Sequence, residues 1–174
     1  MFKELNIIKV FFENPTKEYN VREIARIIKV APATASSQLK KLAKKEILKE
    51  RKERNLIIYK ANMSHSNYTD LKIYYNIKKI KDSGLIEELN KFYMKPAIVL
   101  FGSASFGLDT EDSDIDLVII SEKNKEFPKK EKFEKVIKRK LQFFIVKDTK
   151  ELKNTHLINN ILNGIVIQGE LRWI

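Results

Sequence analysis

Residues 100–120, LFGSASFGLDTEDSDIDLVII, set two apolar runs on either side of a loop holding Gly102, Ser103 and the acidic side chains Asp109, Glu111, Asp112, Asp114 and Asp116. The whole chain carries a formal charge of +11, so acid gathered in one loop needs a local reason. The first run, AIVLF at 97–101, is short, apolar and ended by Gly102-Ser103, the pattern of a buried strand entering a tight loop. Glycine lets backbone amides approach a phosphate closely, and the serine hydroxyl adds a donor. Asp114 and Asp116 stand at the head of the second run. Residues two apart on a strand share a face, so both carboxylates point one way while Ile115 and Leu117 point the other. Converging carboxylates repel unless a cation lies between them. Oxygen donors without cysteine or clustered histidine favour Mg²⁺, which is held by one or two carboxylates together with substrate phosphates and water.

Composition sets the frame around this loop. With 174 residues, 43% of them hydrophobic, the chain can bury a real core as one domain or two small ones. Met1 opens into a charged amphipathic segment without a signal-peptide pattern, and no apolar run is long enough for a membrane helix. A soluble, cytoplasmic protein is expected, with no membrane partner. The absence of cysteine excludes disulfides and thiolate metal sites. Charge is uneven: residues 1–62 hold 15 Lys and Arg against 7 Asp and Glu, whereas residues 63–174 hold 19 against 16. That asymmetry suggests a basic module facing a polyanion, joined to a more balanced one.

In the basic part, Leu5, Ile8 and Phe12, flanked by Ile7 and Phe11, recur at helical spacing and predict a first helix. Val21, Ile24, Ala25 and Ile28 predict a second. Pro32 fits the first turn of a third helix, whose buried stripe is Ala35, Leu39 and Leu42. Opposite that stripe, Thr34, Ser36, Ser37, Gln38, Lys40 and Lys41 combine short hydrogen-bonding groups with positive charge, a face suited to a major groove. Two strands, 47–50 and 56–61, follow, with Arg51, Lys52, Arg54 and Asn55 at their tip. A basic hairpin after such helices suits phosphates or the minor groove. The stretch VREIARIIKVAPATASSQLKKLAKKEIL (21–48) resembles the winged helix-turn-helix regulators, over about sixty residues. Glu46 departs from that pattern, where glycine is common before the wing. Winged helices serve both as DNA readers and as protein-contact modules; the basic tip favours double-stranded DNA.

Residues 64–95 predict a connector in which Leu71, Tyr74, Tyr75 and Lys78 alternate with Ile73, Ile77 and Ile80 around a helix. Two apolar faces call for two neighbours, one of them a second subunit in a homodimer. The tyrosines are expected to be ordinary core. Ser83-Gly84 breaks the segment before a short helix over 85–93.

Together, Gly102, Ser103, Asp114 and Asp116, in order and between apolar strands, resemble the nucleotidyltransferase signature of the DNA polymerase beta superfamily, close to its minimal stand-alone members. The resemblance covers about residues 85–174. It implies a Gly-Ser loop (Gly102, Ser103) that holds a nucleoside triphosphate. It also implies catalytic, metal-binding Asp114 and Asp116, which bind the ions activating the attacking oxygen and the departing pyrophosphate. The family's third carboxylate falls on the third strand, LQFFIVKD, where this chain has Gln142. Glutamine carries no charge and cannot usefully accept a proton. Asp148, six residues later at about 3.3 Å per residue, sits roughly 20 Å away. Phe106 replaces the basic residue that many minimal members carry in the loop. Lys135, Lys138 and Arg139, on a helix predicted around Phe133, Val136, Ile137 and Leu141, are alternative sources of positive charge. A further helix is expected over 150–163. His65 and His156 have no ligand spacing, and Trp173 is read as packing.

The expected architecture is α+β: a winged helix-turn-helix DNA-binding domain (1–62), a connector helix and candidate dimerisation element (63–84), and a nucleotidyltransferase-like mixed-sheet α/β domain (85–174). Two functions follow. One is a DNA-binding transcriptional regulator whose transferase-fold domain binds Mg²⁺ and nucleoside triphosphate. The other is an active Mg²⁺-dependent nucleotidyltransferase passing NMP to a hydroxyl. Minimal transferase-like proteins also occur as antitoxins, which would bring a helical toxin partner.

Overall fold

The computed structural model describes residues 2–171, with side chains from Asn6 onward; Trp173 and the Leu5 side chain lie outside the described residues. The chain forms two compact units, one ending at Lys72 and the other starting at Ile73.

The first unit contains α1 (Phe2–Glu13), β1 (Tyr19–Asn20), α2 (Val21–Ile27), α3 (Pro32–Lys44), β2 (Leu48–Glu53) and β3 (Leu56–Ala61). Its sheet is antiparallel in the order β1-β3-β2, with Tyr19 opposite Tyr59 and Leu48 opposite Ala61. A capping box starts α2. Asn20 Oδ1 accepts from the amides of Arg22 and Glu23 at 2.9 and 3.0 Å, and Glu23 Oε2 accepts from the Asn20 amide at 2.8 Å. Lys29 at φ 56° turns the chain, and Pro32 stands in the first turn of α3. Ile7, Phe11, Ile24, Ala35, Leu39 and Tyr59 are fully or almost fully buried at the centre. The hairpin differs from expectation. Its first strand runs to Glu53, so Arg51 and Lys52 lie on the strand and only Arg54-Asn55 form the tip. Five of the six β2 residues are exposed, and such a strand has no hydrophobic alternation to reveal its end.

Residues 66–72 of the next helix, α4 (Ser66–Asp82), belong to this unit. Tyr68 there is buried and donates its hydroxyl to the Phe11 carbonyl at 3.1 Å. Lys72 is 1% exposed and donates to the Phe12 carbonyl at the end of α1. The side of α4 that is buried therefore runs Tyr68, Lys72, Asn76, Ile80, while Tyr74 is 59% exposed. The expectation that the connector tyrosines are core fails at Tyr74, which the helical repeat places on the side of α4 away from that stripe.

The second unit holds the remainder of α4, then α5 (Leu85–Tyr93), β4 (Ala97–Phe101), a 3-10 turn (Ser103–Ser105), β5 (Ile115–Ile120), α6 (Lys130–Ile137), β6 (Leu141–Val146), a second 3-10 turn (Thr149–Glu151), α7 (Thr155–Leu162) and β7 (Ile165–Gln168). Leu141 opens β6, as expected of the third strand LQFFIVKD, and is not part of the helix face predicted around Phe133; the helix expected over 150–163 is split into a 3-10 turn and α7. The mixed sheet runs β6-β5-β4-β7: β5 and β6 are parallel, joined across α6, and the other pairs are antiparallel. One face carries Ile98, Leu100, Ile115, Leu117 and Ile119 against α5, Phe133 and Ile137. The other carries Val99, Phe101 and Val118 against Leu152 and Ile161. Among the described residues no helix is long and apolar enough to cross a membrane.

Candidate functional site

The β4–β5 pairing sets Phe101 opposite Asp116, which brings the residue after β4, Gly102, against the Asp116 carboxylate. A Cβ at Gly102 would overlap Asp116 Oδ2 and lie 3.4 Å from its Cγ. Only glycine fits there, and its φ of 70° with ψ of −160° is a conformation that other residues avoid. The chain then makes one 3-10 turn. Ser105 closes it, donating from Oγ to the Gly102 carbonyl at 2.8 Å and from its amide at 3.1 Å. Ser103 is partly exposed, and its hydroxyl takes no partner among the described residues.

Asp114 immediately precedes β5 and Asp116 is its second residue; both are partly exposed, whereas Ile115 and Leu117 between and beyond them are buried on the opposite face. Burial first, and then the neighbouring Asp114 charge, push the Asp116 carboxyl above its usual range. The parallel register sets Gln142 of β6 directly beside Asp116, so its exposed amide lies on the carboxylate face of the sheet. Asp148 is occupied elsewhere. Its Oδ1 accepts from the Lys150 amide and the Thr149 hydroxyl, each at 3.1 Å, capping the turn beyond the far end of β6. Among the described residues no three His, Cys, Asp or Glu side chains cluster as a metal site. The available oxygen donors are two carboxylates and an amide.

The region from Asp82 to Ile167 matches the family model described as the nucleotidyltransferase domain. This segment is a nucleotidyltransferase domain. Gly102, Ser103, Asp114, Asp116 and Gln142 all fall within it, and the three helices and hairpin of the first unit precede it. No curated protein matches the chain.

The acidic loop of the nucleotidyltransferase domain divides its labour. Asp109 is completely buried and points inward, accepting from Asn76 Nδ2 at 2.7 Å and from Arg139 Nη1 at 3.0 Å. Asn76 Nδ2 also reaches the Ala104 carbonyl at 3.0 Å, and Arg139 Nε reaches the Ser113 carbonyl at 2.6 Å. Sequence reasoning missed Asp109 and Asn76. Nothing in their spacing, 33 residues apart, announces a pair. Arg139, weighed as a source of charge for a triphosphate, is committed to this inward network with its side chain 9% exposed. Lys135 and Lys138 are exposed and line, with Glu111, Asp114 and Lys140, an open groove of about 780 Å³ between the acidic loop and α6.

In the first unit, Thr34, Ser37, Lys40 and Lys41 are exposed on α3, and Ser36 and Gln38 are partly so. Lys52 and Arg54 are exposed on the hairpin. Arg51 is exposed as well, but it pairs with Glu18 and Glu53, each at 2.6 Å. His65 pairs with Glu46 at 3.0 Å, and His156 is exposed at the start of α7.

Proposed function

We propose that the chain is a DNA-binding transcriptional regulator whose nucleotidyltransferase domain binds Mg²⁺ and a nucleoside triphosphate without efficient turnover. One observation carries the second half of this reading: the residue paired with Asp116 across the parallel strands is Gln142, a group that cannot take a proton from an attacking hydroxyl. The donor set fits Mg²⁺. Asp114 and Asp116 would hold the ion, with the Gln142 amide oxygen beside them, and a bound cation would offset the burial and, after it, the Asp114 charge that push the Asp116 carboxyl up. Bound there, Mg²⁺ would supply charge neutralisation for phosphates. The amides around Gly102 and the Ser103 hydroxyl would cradle the phosphate chain.

The three helices and hairpin of the first unit suit a winged helix-turn-helix, with α3 as the groove-reading helix. Thr34, Ser36, Ser37 and Gln38 would meet base edges. Lys40, Lys41, Lys52 and Arg54 would meet phosphates. Leu71 and Tyr74, exposed one turn apart on α4, would supply the contact of a homodimer.

The test is calorimetric titration of Mg²⁺ and each triphosphate into the full chain, beside incubation with labelled nucleotides and candidate acceptors. Binding that requires Mg²⁺, is lost in Asp116→Asn and yields no transferred label is expected. Adding a carboxylate by Gln142→Asp should then raise divalent-ion affinity. Steady label transfer abolished by Asp114→Asn would overturn the binding-only reading. It would establish an active transferase, which the glycine kept against Asp116 also suits.

A further inference from the structure

Two polar bridges cross the nucleotidyltransferase loop, one at each end. Near its start, Asn76 Nδ2 holds the Ala104 carbonyl, two residues beyond Gly102. Near its end, Arg139 Nε holds the Ser113 carbonyl, the peptide group that joins Ser113 to Asp114. Both bridges meet at the Asp109 carboxylate, which takes Asn76 on Oδ1 and Arg139 on Oδ2. Asp109 is 0% exposed and the Arg139 side chain 9%, so the pair sits in a low-dielectric setting where a fixed fork geometry is held firmly. A salt bridge this deeply buried is weak evidence for stability, because desolvation offsets much of the attraction. Its geometry is more informative. The planar guanidinium is oriented by Asp109 on one nitrogen and grips the backbone next to Asp114 with another, so the Asp114 backbone is tied to the core and not to solvent.

We propose that Asp109 and Arg139 are positioning residues for the two-carboxylate site: Asp109 orients the Arg139 fork, the fork fixes the Ser113–Asp114 peptide, and Asp114 is thereby held for a divalent cation shared with Asp116. This rests on the metal reading given under Proposed function. The second bridge, Asn76 to Ala104, does the same for the glycine-serine side, so the two halves of the site are referenced to one buried carboxylate. Lysine at 139 keeps the charge but lacks the fork, and it cannot serve Asp109 and Ser113 at once in this way.

The experiment is Mn²⁺ titration, read by electron paramagnetic resonance, of the full chain as wild type, Arg139→Lys and Asp116→Asn, with circular dichroism establishing the fold of each. Asp116→Asn should abolish the site. Arg139→Lys should weaken Mn²⁺ roughly 10- to 100-fold, the usual cost of losing a partner that orients a ligand, and should speed amide exchange at Asp114. A folded Arg139→Lys that binds Mn²⁺ as wild type does, whatever its melting temperature, overturns the inference alone. Wild-type protein with no Mn²⁺ site sensitive to Asp116→Asn overturns the metal reading and the inference with it. Should Arg139→Lys not fold, Asn76→Ser decides: it retains both charges, and its expected loss is roughly two- to tenfold, one hydrogen bond's worth, with unchanged affinity overturning the proposal.

Discussion

Gly102 and Glu46 share a left-handed backbone, at φ 70° and 56°, for opposite reasons. At Gly102 the conformation is steric: the backbone runs where a side chain would strike the Asp116 carboxylate. Gly102→Ala is therefore expected to destabilise the protein by about 1–3 kcal/mol and to abolish triphosphate binding, as urea denaturation and calorimetry would measure. At Glu46 the conformation is a geometric requirement of the turn between α3 and β2, met by a residue that suits it poorly. Strain of about 1–2 kcal/mol outweighs the exposed pair with His65 and the added chain entropy of glycine. Glu46→Gly should consequently raise the urea midpoint, by an equivalent of about 0.5 kcal/mol. The departure from glycine was legible in the sequence, and the φ angle gives it a physical meaning.

Elements were legible wherever a periodic apolar pattern met a clear breaker. The strand 97–101 stops just before Gly102 and the helix 85–93 starts just after Gly84, both at the positions expected, because burial and turn chemistry agree there. The two-residue β1 and the charged end of β2 were not legible, since neither carries a repeating apolar face. Asp114 and Asp116 could be found because they are neighbours in sequence; Asp109, Asn76 and Arg139 meet only through tertiary structure, 30 residues or more from Asp109. The same holds at the surface of α5, where Glu88 meets Lys129, 41 residues away, at 2.5 Å and Lys91 at 3.0 Å. Hydrogen bonds from Lys129 and then Lys91 lower the Glu88 carboxyl from 4.5 to about 2. A depressed carboxyl stabilises the fold above its unfolded value and ceases to do so as pH falls through its folded value. Glu88→Gln should thus be less stable than wild type near neutrality, with the gap narrowing from about pH 4.5 downward and closing near pH 2 in paired thermal melts.

Charge is the property of the whole chain that the two units divide most unequally. Of the +11 total, +8 resides in the first 62 residues, where exposed Lys40, Lys41, Lys52 and Arg54 stand on α3 and the hairpin. If these cations neutralise DNA phosphates, binding releases counterions, and the logarithm of affinity falls with the logarithm of salt at a slope of about −0.9 per contact. Each of Lys40→Ala and Lys52→Ala should weaken binding evenly across DNA sequences and make the slope shallower by about 0.9. Arg51→Ala is the internal control. Its guanidinium already satisfies Glu18 and Glu53, so its removal also frees two carboxylates and should leave the slope closer to that of wild type. Ser37→Ala and Gln38→Ala, by contrast, should leave the slope unchanged and relax discrimination between DNA sequences, because base-edge contacts carry specificity and phosphate contacts do not. Fluorescence anisotropy over a salt series separates these effects. An affinity insensitive to salt, or equal slopes for Lys52→Ala and wild type, would remove the basic face from the DNA contact and leave the first unit as a protein-binding module.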